Sequence, residues 1–273
     1  MGLRSFFLGN KPQRIETGPS VAQQDPGKKG GESLRSLVTI IGKAPTDIAK
    51  EYARGLFSVS IASFEESYVG ARRADARDSD FREAFVTRTL LGDLVDGNYI
   101  GFLAMHALIF ANRLQGWEWL PTSQEEIEHV GEMASLFLIH PHYQLTPEQQ
   151  AKEKVILSED HASKGTQALV AVIETAQWDV ARTVMCAAMD TLSRNLMEVW
   201  AGPEAHEKLV YQTLILSLRV DNTLGALLLH QLAISHHQRG WDWRPSPDEF
   251  HAIAEISARQ LIDKRYNVAA LVR

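Results

Sequence analysis

A single cysteine, Cys186, stands in the whole chain. One thiol makes no internal disulfide, so nothing directs the chain to an oxidising compartment, and a cytoplasmic setting is expected. Cys186 lies in the apolar run Val184-Met185-Cys186-Ala187-Ala188, where a small buried hydrophobe is the expected role. No electropositive surroundings mark it as a nucleophile. A long apolar run is also missing. The longest uncharged stretch, 97–112, is interrupted by Asn98, His106 and Asn112 and reads as a buried helix, not a membrane span. The apolar stretch near Met1 is too short for a signal-peptide core. No excess of positive charge is present either. The net charge of −6 gives no broad attraction for nucleic acid.

Catalytic signatures are equally scarce. No dinucleotide-binding glycine fingerprint, nucleophile elbow or complete phosphate loop occurs. Gly27-Lys28 lacks both the earlier glycine and the preceding strand that a phosphate loop needs. Metal motifs are fragmentary. His140-x-His142 supplies two ligands where a site needs more. Glu126 and His129 have the spacing of a di-iron carboxylate bundle, but such a bundle requires the motif twice. No metal, and no cofactor, is therefore expected. His236-His237 reads as a solvated helix end near Gly240, and Glu148, Glu153, Glu159 and Asp160 read as solvated helix faces.

What is present is helical periodicity. Hydrophobic residues make up 45% and charged residues 23%, ordinary for a globular protein. No run of alternating β-branched residues competes with helix. Residues 1–32, rich in Gly, Pro, Gln and Lys towards their end, predict a flexible tail. A short helix follows over about 33–43, then a long one from Pro45-Thr46-Asp47 to about Arg73. Further helices are expected up to Val95, from Asn98 to Gln115 and after Ser123. Gly116 is expected to end its helix in a left-handed turn.

The most specific feature is an internal repeat. Setting Trp117 against Trp241 lays segment 86–121 on 210–245 without a gap. Thirteen of these 36 pairs are identical, including Asn98/Asn222, Gly101/Gly225, His106/His230, Gly116/Gly240 and Trp119/Trp243. That is far more than unrelated helices share, and a repeat of this length governs the reading of the fold. The expected architecture is all-α: repeat unit 1 over 33–139, a linker and polar helix over 140–166, and repeat unit 2 over 167–273.

Two residue sets follow. Asn98, His106, Asn222 and His230 are the candidate pocket, which forms if the two helices meet at a pseudo-twofold axis; the expected role of each His is instead a structural hydrogen bond inside its own half, since a buried polar group needs a partner. Trp117, Trp119, Trp241 and Trp243 are expected to plug the helix ends, with exposed anchors for a protein partner as the competing role. Gly101 and Gly225 are expected to admit a close neighbouring helix. The functional expectation is a non-catalytic protein-binding module of adaptor, chaperone or toxin-neutralising immunity type. The alternative is a small-molecule receptor or enzyme using His106 and His230. Neither the partner's identity nor the oligomeric state is legible.

Overall fold

The computed structural model describes residues 26–43, 46–71, 78–117, 119–158 and 176–266. Among these residues the chain forms ten α-helices and no strand. They are α1 (Pro26–Lys43), α2 (Thr46–Ala71), α3 (Asp78–Val95), α4 (Tyr99–Gln115), α5 (Gln124–Ile139), α6 (Pro147–Ser158), α7 (Trp178–Glu198), α8 (Pro203–Arg219), α9 (Thr223–Arg239) and α10 (Pro247–Ile262). Short 3-10 turns follow α5 at Pro141–Tyr143 and α10 at Lys264–Tyr266. The helix expected over 33–43 begins earlier, at Pro26, where proline's fixed φ suits a first helical turn. Most of the expected tail lies outside the described residues.

The helix boundaries are set by local chemistry. Asn98 precedes α4 and accepts a hydrogen bond from the Gly101 amide at 3.2 Å. Asn222 does the same for α9 through Gly225 at 3.1 Å. Gly101 and Gly225 are not there to admit a neighbouring helix, as their sequence setting suggests. A Cβ at Gly101 would collide with the side chains of Asn98 and Asp93, and one at Gly225 with Asn222. The glycine makes room for the cap. Gly116 and Gly240 end α4 and α9 with φ of 93° and 95° and ψ near 150°. This is an extended positive-φ conformation essentially reserved for glycine, not the left-handed helical turn expected. Capping boxes open α5 (Ser123 with Glu126) and α10 (Ser246 with Glu249), satisfying two orphan amides each.

The helices pack in two groups. In the first, α2 lies along α5, α3 along α4, and α4 along α5. In the second, α7 lies along α10, α8 along α9, and α9 along α10. One continuous apolar core runs through both groups. Its centre is α4 and α9, which touch each other and are buried along nearly their whole length. That explains why 99–111 of α4 and 223–234 of α9 are apolar on nearly every side. Among the described residues, no helix is long and apolar enough to cross a membrane.

Two further elements tie the groups together. Leu34 of α1 is buried, and Arg35 donates to the Arg219 carbonyl at the end of α8. Tyr99 of α4 donates its hydroxyl to Asp221, beside α9, at 2.6 Å. On α6, Glu153 departs from the expected solvated face. It is buried and holds Arg219 through two hydrogen bonds of 2.8 Å. A lone glutamate on a polar helix looks solvated until a distant arginine is known to reach it. Glu159 and Asp160 lie outside the described residues.

Candidate functional site

His106 comes from the middle of α4 and His230 from the middle of α9. The structure brings these two rings together, Nδ1 to Nδ1, at 2.6 Å. Both are essentially without solvent exposure. One N–H fits between the two nitrogens, so one ring donates and the other accepts; which does so is set by tautomer. Aromatic side chains close the space around them. Phe110, Phe137 and Tyr211 stand edge-to-face with His106 at centroid distances of 4.7, 5.4 and 5.9 Å, and Phe102 flanks both histidines, at 6.4 Å from His106 and 5.8 Å from His230. Burial in this apolar shell lowers the His106 pKa to about 3 and that of His230 well below its ordinary value. Both rings are therefore neutral at pH 7. The far nitrogen of His106, Nε2, has no protein partner.

Asn98 and Asn222 do not join this pair. Each is exposed at the start of its helix, engaged in capping. Asn98 also donates to the Asp93 carboxylate at 2.7 Å. Desolvation raises the Asp93 pKa to about 7.

A second buried histidine pair was not apparent from the sequence. His206 of α8 and His236 of α9 meet through Nε2 atoms at 3.0 Å. The His236 ring stacks on Trp241 at 4.7 Å with an interplanar angle of 7°, and Trp200 covers His206 at 4.4 Å. His236 is thus not the solvated, cationic helix end expected; burial lowers the pKa of both His206 and His236 to about 4. The Trp241 ring supplies the cover that the local sequence does not reveal. His237 is exposed beside the Phe110 ring.

His206 and His236 stand 124 residues after Arg82 and Asn112, the spacing that separates His106 from His230. Arg82 and Asn112 are also buried and bonded, Arg82 Nε to Asn112 Oδ1 at 2.8 Å. Arg82 in addition holds the Glu65 carboxylate at 2.7 and 3.1 Å. Burial pushes the Glu65 pKa up, against the opposing pull of Arg82. Asn112 and His236 fall inside the aligned segment and Arg82 and His206 just upstream of it, but the residue types differ so much that identity gives no signal.

Trp117, Trp119, Trp241 and Trp243 are half-buried and pack on the core. Trp241 joins the His206–His236 cluster, and Trp243 lies under Arg239 at 4.5 Å. Trp117 has Arg113 over its ring at 5.9 Å. His140 and His142 lie in the 3-10 turn after α5, where the His140 ring accepts the His142 amide. Glu126 is occupied by its capping box. Among the described residues no three His, Cys, Asp or Glu side chains cluster as metal ligands would.

Open space lies elsewhere. A groove of about 830 Å³ runs between α1, α2, α5 and the following turn. Val38, Ala49, Leu136 and Ile139 give it apolar walls, and Asp47, Lys50, Arg54 and Glu132 give it charges of both signs. Neither buried histidine pair lines it.

The described residues thus define an all-α protein with its polar pairs sealed inside and an open groove on the first helical group. The chain matches no protein-family model, no curated protein and no solved structure.

Proposed function

We propose that the chain is an internally duplicated helical protein whose role is to bind another protein, without catalysis, as an adaptor, chaperone or toxin-neutralising immunity protein does. Repeat units over 33–139 and 167–273, joined by a linker and polar helix over 140–166, account for the pattern of helices. Advancing α4 by 124 residues reproduces the bounds of α9, and advancing α5 by 123 reproduces those of α10. The Asn caps, the terminating glycines and the two capping boxes recur at the same places. Failure of α2–α5 to superpose on α7–α10 in a crystal structure would remove the duplication. The single thiol suits a reducing, cytoplasmic setting.

The groove between α1, α2 and α5 carries the binding reading. It is open and lined by both apolar and charged groups, a mixture that suits a polypeptide segment. His106 and His230, by contrast, are spent on each other in a closed shell. The test is capture from the native cell with the intact chain and with two groove variants, Arg54→Glu and Leu136→Asp. The expected result is one stoichiometric protein partner, lost from both variants while their folding is unchanged. A copurifying small molecule lost on His106→Gln instead would replace this reading with the receptor or enzyme alternative.

A further inference from the structure

The buried face of α2 is made by Ala49, Ala53, Phe57, Ile61, Phe64 and Tyr68. The opposite face should be polar, and it is not. Ile48, Tyr52, Val59 and Val69 are exposed at 61%, 55%, 62% and 63%. With exposed Gly55, Ala62 and Glu66 they fall at intervals of four, three, four, three, four and three residues. That alternation is the 3.5-residue repeat of a helix seam that packs against another helix. A helix apolar on both faces expects cover on both. The fold itself does not demand this outer face. On α7, taking Val180 for Tyr52, the same spacing carries Thr183, Ala187, Asp190 and Arg194.

We propose that the outer face of α2 pairs antiparallel with α2 of a second copy of this chain. The seam is self-complementary about Val59. A twofold axis there sets Ile48 against Val69, Tyr52 against Glu66 and Gly55 against Ala62 of the other copy, with Val59 meeting itself. Large residues face medium ones, and the two smallest face each other, so the helices approach closely at two symmetric points. Charge selects the direction. Parallel pairing would set Glu66 against Glu66, whereas antiparallel pairing offers each Glu66 carboxylate a tyrosine hydroxyl donor. Residues 48–69 span about 32 Å of helix at 1.5 Å per residue. Two such strips bury on the order of 1,000 Å², the lower end of a specific interface, so the dimer is weak and concentration-dependent.

Sedimentation velocity on the full chain, from micromolar concentration to roughly 500 µM, tests this. A reversible monomer–dimer equilibrium is expected. Val59→Glu places two carboxylates at the axis and leaves a monomer at every concentration, with helicity and thermal midpoint unchanged because Val59 is exposed. Val59→Lys does the same alone. Mixing Val59→Glu with Val59→Lys restores association, since only a contact of residue 59 with residue 59 lets the opposite charges meet. Tyr52→Ala weakens the dimer about tenfold. A wild-type monomer throughout, dimers indifferent to Val59→Glu, or a mixture that stays monomeric overturns the proposal.

Discussion

Between α3 and α4 the buried polar link is Arg82 to Asn112, with Glu65 beneath it. Between α8 and α9, at the same spacing, the link is His206 to His236 under tryptophan. Similar helix pairs thus carry opposite electrostatic solutions. The first group keeps a charge in its core and needs a counter-charge to hold it. The second keeps imidazoles in its core and needs them neutral. Two helix pairs joined by one core therefore fail for different reasons, by loss of a partner in one and by gain of a proton in the other.

The sharpest break of this contrast is Arg82→Met. It leaves the Glu65 carboxyl buried without its guanidinium, a loss of about 3–5 kcal/mol in stability. Denaturant unfolding at pH 7 measures it. A loss under about 1 kcal/mol would mean that the charged link is ornamental and the contrast false.

Acid addresses the second group. The folded pKa of His206 and His236 lies near 4, below the ordinary 6.5. The unfolded chain therefore binds protons first. The stability held by these neutral rings is complete above about pH 6.5 and falls as the pH drops towards the folded values. Each imidazole that stays neutral costs about 2 kcal/mol between pH 6.5 and 5. Glu65, whose pKa is raised, shifts stability the other way. Hydrogen exchange at pH 7 and pH 5 should show α8 and α9 losing protection before α3. Replacing both rings, His206→Leu with His236→Phe, should flatten the slope; an unchanged slope would mean that these rings are not the acid-sensitive element.

The smallest expected difference is between the tryptophans. Trp241 contacts His236, Tyr211 and His206, so Trp241→Ala should cost about 3 kcal/mol. Among the described residues Trp117 meets no comparable aromatic cluster, and Trp117→Ala should cost about 1–2 kcal/mol. Equal midpoint shifts for the two variants would erase this part of the contrast.

Much of the helical frame is legible in the sequence because its punctuation is local. Ser123 with Glu126, Ser246 with Glu249, and the glycines at 116 and 240 each act within a few residues of themselves. The bond between His106 and His230 is not legible, because the sequence favours a partner for each ring among its own neighbouring helices. What escapes is what depends on a distant partner. Glu153 looks solvated without Arg219, and His236 looks charged without Trp241. The role of Gly101 escapes for another reason: the atoms that forbid a side chain there belong to its own cap, which spacing alone does not distinguish from a neighbouring helix. The exposed seam of α2 also escapes, because apolar residues on two faces read simply as an apolar helix.

The hydrogen bond between His106 and His230 closes a chain separation of 124 residues. The contacts of α3 with α4 and of α8 with α9 close far shorter loops. Loop-closure entropy favours the short ones, so each hairpin of helices is expected to assemble before the two histidines meet. The central pair then belongs to the downhill side of the folding barrier, and its removal should act on the rate at which the protein comes apart. For His230→Gln, stopped-flow kinetics should show faster unfolding at a nearly constant refolding rate. Slowed refolding would place the pair in the nucleus instead. In kinetic terms, the two buried imidazoles are a latch: they contribute little to finding the fold and much to how long it persists.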